Sequence, residues 1–354
     1  MCQLSIGHML LQLGVSSADF WHDPEIFARG LAKLREIYDF DGILVSLHGH
    51  DPEWRSHVRS RRTTDTGEEI VWDSDDTTLF LQDELPRITP ARKPTRTSFE
   101  QFHEDRLPPT LDYIPVSQGL HFILHPKHTF DIFHRVRQYA GEAYSIHGEV
   151  TSPFDYFIDL FGVQEALVSL VDDPEKCSRI LAHFASLIRQ LAVDMCGAGI
   201  DAIKVSSPFA GAGFISPAFY RAFVLPFEAE IAHAVRAKNV QVYTHTCGAI
   251  GDRLELIFDS GVSGIECLDP PPLGNVELKD AKTRTRGRGF IKGNVDSVNL
   301  LLHGTQEEIL ADAKRRLSIG KEGGGFIFST ACSVAPHVQR EKLLLLREAV
   351  DRWG

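Results

Sequence analysis

VQVYTHTCGAIGDRLELIFDSGVSGIECL, residues 240–268, holds a β-branched run (VQVYTH), an amphipathic stretch (AIGDRLELIFDSG) and a second short apolar run (SGIECL). Strand, helix and strand follow one another with only a few residues between them. A helix that returns the chain to the start of the next strand makes the two strands parallel.

The alternation continues in both directions. Towards the C-terminus, RGFIKGN (288–294) reads as a strand, Thr305 and Glu308 form a capping box that opens a helix, GGFIFSTA (324–331) is a strand, and REKLLLLREAVDRW (340–353) a final helix. Towards the N-terminus, DAIKVSS (201–207) is a strand, followed by a helix that opens at Ser216-Pro217 and is predicted to run to about Lys238. Asp173-Pro174-Glu175 caps a long helix ending near Gly197 and Gly199, and AYSIHGEV (143–150) and DGILVSLHG (41–49) are further strands. In HDPEIFARGLAKLREIYDF (22–40), Asp23 can cap and Pro24 stands where its missing N–H is not needed. Short apolar strands covered by helices in this number predict an α/β fold, a (β/α)8 TIM-type barrel rather than an open sheet. Residues 55–106 depart from the pattern. SRRTTDTGEEIVWDSDD and LPRITPARKPTRTS are charged, Thr-rich and Pro-containing, and predict at most a short hairpin, an insertion or lid on a single barrel domain spanning 1–354.

The chain has 354 residues, with 37 basic and 48 acidic side chains and a formal charge of −11, a balance that argues against nucleic acid or anionic membrane as a general partner. No apolar run approaches the roughly 20 residues needed to cross a bilayer. MLLQLGV (9–15) is too short for a signal peptide and no basic residue precedes Arg29, so a cytoplasmic protein is expected. The six cysteines, at 2, 177, 196, 247, 267 and 332, are widely scattered, which favours reduced thiols or metal ligands over a disulfide framework.

In a barrel, chemistry sits on the loops that follow the strands. His245 and Cys247 close one strand, and residues two apart point to the same side. Cys332 follows another strand in FIFSTACSVAP (326–336). Brought together, one imidazole and two thiolates would suit zinc and leave a fourth position for water or substrate. The plainer reading is a chance H-x-C beside buried cysteines that serve as small core residues. Glu266 and Cys267, at the next strand end, are candidates for a fourth ligand or a supporting partner, and alternation predicts that only one of them points inward. After the first strand, SLHGH (46–50) places His48 and His50 where they could bind substrate, give a proton to a leaving group or merely occupy a solvated loop. His147 and Glu149 end a further strand, and Asn294 with Asp296 follow another, where ligand contact and local capping are both open. His121, His125 and His128 lie in an irregular segment and are expected at the surface, and FAGAGFISP (209–217) lacks the last glycine of a dinucleotide fingerprint.

Together these features resemble the uroporphyrinogen decarboxylase superfamily. GIDAIKVSSPFAGAGFISPAFYRAFVLPF (199–227) is similar to that family's strand, loop, Ser-Pro helix and LPF sequence. The H-x-C-G at 245–248, followed much later by a lone cysteine before a proline, resembles its zinc-dependent, corrinoid-linked methyltransferase branch. The resemblance implies that His245, Cys247 and Cys332 ligate Zn2+ and that a separate corrinoid (cobalamin) protein exchanges methyl with the site. Departures from the decarboxylase itself agree: MCQLSIGHMLLQLG carries no arginine-rich substrate motif, His48 stands near the position of a catalytic aspartate, and Cys332 where that enzyme has a catalytic histidine.

The expected activity is methyl transfer between a small methylated molecule, such as a methoxylated aromatic undergoing O-demethylation, and the cobalt of the corrinoid partner. His48 and Glu266 would be its catalytic residues, with His50, His147, Glu149 and Asn294 contacting substrate. The alternative is a second methyltransferase that passes methyl from a methylcobamide to a thiol of the coenzyme M type or to tetrahydrofolate. A residual decarboxylase and a non-enzymatic zinc or tetrapyrrole binder are the other readings. The composition leaves room for a homo-oligomer.

Overall fold

A computed structural model describes residues 1–92, 96–116 and 119–354. In chain order its strands are β1 (Gly42–Val45), β2 (Val58–Thr64), β3 (Gly67–Trp72), β4 (Thr77–Leu81), β5 (Arg87–Thr89), β6 (Tyr113–Val116), β7 (Leu120–Ile123), β8 (Ser145–Thr151), β9 (Ala202–Ser206), β10 (Gln241–Thr246), β11 (Gly264–Cys267), β12 (Phe290–Val295) and β13 (Phe326–Thr330). Among the described residues, β1, β8, β9, β10, β11, β12 and β13 form one seven-stranded sheet in that order, and every neighbouring pair is parallel. The sheet curls into the expected TIM-type barrel. The eighth place is taken by the N-terminal segment, which has no regular ladder: Leu4 bridges Val334, Ser5 N donates to Val334 O at 3.2 Å, and the Met1 ammonium lies 3.5 Å from Phe328 O. On the other side of this seam Gly42 makes room, since a Cβ there would come within 3.1 Å of Met1 Sδ.

The covering helices start where their caps predict. Asp23 Oδ1 accepts from Glu25 N and Ile26 N at the head of Pro24–Tyr38, Asp173 caps Pro174–Cys196, and the Thr305–Glu308 capping box opens Gln306–Gly320. The helix expected from Ser216 to Lys238 is instead two helices, Pro217–Phe223 and Leu225–Arg236, separated at Val224. The cause is Pro226, which has no N–H to continue the first helix and whose ring obstructs the preceding turn.

Among the described residues of the 55–106 segment there is more than the expected short hairpin. Strands β2 to β5 form a four-stranded antiparallel sheet in sequential order. Its inner face buries Ile70 and Phe80. It is seated on the helix Ser17–His22, whose His22 ring lies 5.0 Å from Trp54, 5.1 Å from Trp72 and 5.5 Å from Phe80. Ion pairs hide this sheet in the sequence: Arg61, on the Ile70 side, pairs with Asp19 of the supporting helix at 3.0 Å, Arg62 pairs with Glu69 on the opposite face at 2.6 Å, and Arg55, just before β2, pairs with Asp23 at 2.9 Å. No described helix is long and apolar enough to cross a membrane.

Behind β9 and β10, helices Pro153–Phe161 and Leu225–Arg236 bury Asp155 and Glu228. Burial raises the Asp155 carboxyl from 3.8 to about 8, against the hydrogen bond from Ser152 Oγ, and raises Glu228 from 4.5 to about 7. Such groups hold more protons in the folded chain than in the unfolded one, so their contribution to stability is full below about pH 4 and is lost as pH rises towards 8. Asp155→Asn is expected to reduce the fall in thermal midpoint between pH 5 and 8. Melts with the wild-type slope would count against this.

Candidate metal centre

β10 and β11 lie side by side with His245 opposite Glu266 and Thr246 opposite Cys267. Cys247 follows β10 directly, and Cys332 stands two residues past β13. All four side chains therefore rise at the C-terminal ends of barrel strands. One donor atom from each of His245, Cys247, Cys267 and Cys332 falls in a group whose members all lie within 4.8 Å of one another. The Sγ atoms of Cys247 and Cys332 are 3.8 Å apart, and His245 Nε2 is 3.1 Å from Cys247 Sγ. Two sulfurs held at about 2.3 Å by one tetrahedral zinc would stand about 3.8 Å apart, so this pair has the required spacing.

The imidazole is set up for coordination. His245 Nδ1 donates to Glu266 Oε2 at 3.0 Å, which leaves the Nε2 lone pair facing the sulfurs. Charge makes the same demand. Burial works against a proton on His245, yet the sulfurs of Cys247 and Cys332 raise it to about 9, so the cluster favours positive charge at Nε2. Cys332 is pulled well below the usual thiol range by hydrogen bonds from Cys247 and Cys267. Burial, followed by the neighbouring sulfurs, pushes Cys267 far above that range. A soft divalent cation satisfies this set of donors.

Glu266 and Cys267 both face the cluster, contrary to the alternation that allowed only one. Cys267 and Leu268 have left-handed backbones, with φ of 85° and 55°, and this turn at the strand end brings the thiol to the side its predecessor already occupies. Cys267 Sγ donates to Asp269 Oδ2 at 3.3 Å, and the same oxygen accepts from Gly248 N at 2.7 Å. Asp269, which sequence reading passed over, thus ties the turn after Cys247 to the turn after Cys267.

Glu266, expected to be catalytic, is engaged at both oxygens within the protein. Its Oε1 accepts from Lys292 and its Oε2 from His245, and the side chain is buried. His48 is also differently disposed from a proton donor. Burial lowers it to about 4, so it is neutral at pH 7, and its one N–H belongs on Nε2, 3.1 Å from the Glu149 carbonyl, while Nδ1 has no partner. A ring in this state accepts a hydrogen bond and cannot act as an acid. His50 is buried between Phe27 and Phe122, at ring distances of 5.3 and 5.4 Å, and both its nitrogens lack partners.

His147 and Glu149 point into the barrel. His147 Nδ1 lies 2.9 Å from the Tyr243 hydroxyl, and Glu149 pairs with Lys204 at 2.8 Å. The Asn294 amide is committed within the protein, donating to Leu268 O at 2.9 Å and accepting from Arg316, so it secures the turn beyond Cys267. Asp296 caps its own turn, accepting from Val298 N and Asn299 N at 2.9 and 2.8 Å. His121 is exposed and paired with Asp159 at 2.9 Å.

Two buried residues were missed altogether, Lys204 and Lys292. The available signal was a lysine in mid-strand, in DAIKVSS and RGFIKGN, where a parallel barrel strand should be apolar.

A family model described as uroporphyrinogen decarboxylase (URO-D) matches residues 118–353, two thirds of the chain. Among curated proteins, the chain is 28% identical over 189 residues to the methylcobamide:CoM methyltransferase MtbA of Methanosarcina acetivorans, covering 51% of each chain. It is 30% identical over 186 residues to the uroporphyrinogen decarboxylase of Chlorobium luteolum, covering 50% of this chain and 49% of that protein. The chain thus spans about half the length of these relatives. Among solved structures it superposes on a methyltransferase from Methanosarcina mazei with a TM-score of 0.72 at 18% identity, over 99% of this chain and 92% of the other, a likeness of fold.

Proposed function

Since the chain belongs to the uroporphyrinogen decarboxylase family, we propose that it is a zinc-dependent methyltransferase that carries methyl from a methylcobamide on a partner protein to a small thiol. The observation that carries this reading is the convergence of His245, Cys247 and Cys332, from strands far apart in sequence, with the two sulfurs 3.8 Å apart at the barrel mouth. A decarboxylase has no use for that donor set. Of the two directions raised by the sequence, transfer to a thiol has support from a relative named for CoM methylation, and O-demethylation of a methoxylated aromatic has none among the relatives described above.

When bound, zinc would stabilise negative charge on an adjacent sulfur, so that an acceptor thiol is present as thiolate at neutral pH. Transfer from the methylcobamide substrate would form the S–C bond with the thiol sulfur's electron pair and leave the Co–C pair with the departing cobamide. The protein's own groups position the reactants. Glu266 fixes the His245 ring, while Asp269 holds the Gly248 amide, and with it the turn after Cys247. With Cys267 Sγ engaged as a donor to Asp269 Oδ2, the other three ligands would leave a fourth corner for the acceptor.

Zinc analysis of the purified protein, followed by assay of methyl transfer from methylcobalamin to thiols, tests the proposal. About one zinc per chain and turnover that disappears on chelation are expected; equal turnover by metal-free protein would overturn it. Decarboxylation of a porphyrinogen without metal would restore the older family activity. Cys267→Ala is expected to retain zinc and to keep methyl transfer within about tenfold. Loss of the metal in that variant would instead reveal a closed four-ligand structural site.

A further inference from the structure

The interior of a (β/α)8 barrel is ordinarily filled by layers of Val, Ile and Leu. Below this candidate metal centre the inward positions carry charge. Glu149 on β8 lies opposite Lys204 on β9, and Glu266 on β11 lies between His245 on β10 and Lys292 on β12. Lys204 Nζ is 2.8 Å from Glu149 Oε1 and 3.9 Å from Glu266 Oε2; Lys292 Nζ contacts Glu266 Oε1. Lys204, Glu266 and Lys292 are at most 1% exposed. Two lysines face two glutamates in this layer.

Stability does not account for such an arrangement, because buried ion pairs are commonly replaced by apolar residues of similar volume without loss. Geometry gives a better reason. Glu266 is the only carboxylate touching the His245 ring among the described residues, and its two oxygens are drawn in different directions: Oε1 to Lys292, Oε2 to His245 with Lys204 behind. Contacts at both oxygens hold the carboxylate against the imidazole.

Building on the zinc reading, the structure assigns Lys204 and Lys292 as positioning residues that act on the metal through Glu266, locking the His245 ring with Nε2 directed at the ion. Neither lysine touches the metal or the substrate. Partners of this outer kind typically change metal affinity by roughly 10–100-fold when removed.

The test is competition for zinc between the protein and a chromophoric chelator, together with the visible absorption of the Co2+-substituted protein, which reports ligand geometry independently of turnover. Lys292→Met is expected to weaken zinc binding by roughly 10–100-fold and to shift the Co2+ bands. Lys204→Met, being farther from Glu266, should do the same to a smaller degree. If the single variants do not fold, Glu266→Gln/Lys292→Met decides, since it removes both charges together; it is expected to fold and to bind zinc as weakly as Lys292→Met would. Wild-type affinity and an unchanged Co2+ spectrum in a folded Lys292 variant would overturn the assignment. A wild-type protein that binds no zinc would overturn the proposed function first, so the two failures are distinguishable.

Discussion

Cys332→Ala protein is expected to emerge from purification nearly free of zinc and inactive in methyl transfer, with its fold intact. Cys332 stands two residues past β13, outside the packed hydrophobic core and only partly buried, so its truncation leaves no core cavity. What it removes is a thiolate donor 3.8 Å from Cys247 Sγ. Zinc sites in small metal-stabilised peptides contribute about 10–16 kcal/mol. Shared over four ligands, that is about 3–4 kcal/mol each, or two to three decades in affinity. This exceeds the effect of any outer partner such as Glu266. Cys196→Ala is the matched control: its Sγ donates to Ala192 O, 3.1 Å away within its own helix, and zinc content should be untouched. Metal analysis of the two variants checks the prediction, and a full equivalent of zinc in the Cys332 variant would dismantle the candidate site.

Why the sequence disclosed this trio while missing its support is a matter of physics. His245 and Cys247 were legible because strand alternation is local: two residues apart means the same face. Cys332 needed the additional inference that all strands of a parallel barrel end on one rim. That inference depends only on alternation of strand and helix, which short apolar runs and capping residues mark clearly. The inward turn of Cys267 was illegible because it comes from left-handed backbone at Cys267 and Leu268, and neither residue type announces such a conformation. Lys204 and Lys292 stood in plain sight as charges within apolar strands, but their partners Glu149 and Glu266 lie on other strands, and only the register of the folded sheet pairs them. The sheet β2–β5 was hidden for a related reason. Arg61 and Arg62 look like loop residues until their partners are seen, Asp19 on the helix beneath the sheet and Glu69 on the neighbouring strand. The roles first considered for His48 and His50 rested on loop position; burial within aromatic surroundings changes both their protonation and their access.

The same division between local and long-range signals gives the second large effect, at Arg253. Its side chain is fully buried at the start of the helix Leu254–Asp259. Nη1 donates to Ala210 O at 2.8 Å and Nη2 to Ile215 O at 2.9 Å, so one guanidinium clasps both ends of the loop after β9. That loop rests on the turn after Cys247: Ala212 N donates to Ala249 O at 2.9 Å, and a Cβ on Gly211 would approach the Cys247 carbonyl to 2.7 Å. Arg253→Met preserves much of the volume but leaves two buried carbonyls unsatisfied, at about 1–3 kcal/mol each. The lost pair with Asp252, a residue 40% exposed at its side chain, adds little. A destabilisation of about 2–5 kcal/mol corresponds to a fall in thermal midpoint on the order of 3–7 °C for a chain of this length. Arg253→Lys should recover only part of it, because a single ammonium cannot reproduce the planar fork that spans two carbonyls. Zinc retention should fall as well, though less than in the Cys332 variant, since Cys247 keeps its thiol and loses only the loop braced against its backbone. Thermal melts and metal analysis on one preparation separate the contributions: a variant that melts with the wild type would show that the clasp holds nothing, and one that melts early but keeps all its zinc would show that the loop stabilises the barrel without shaping the site.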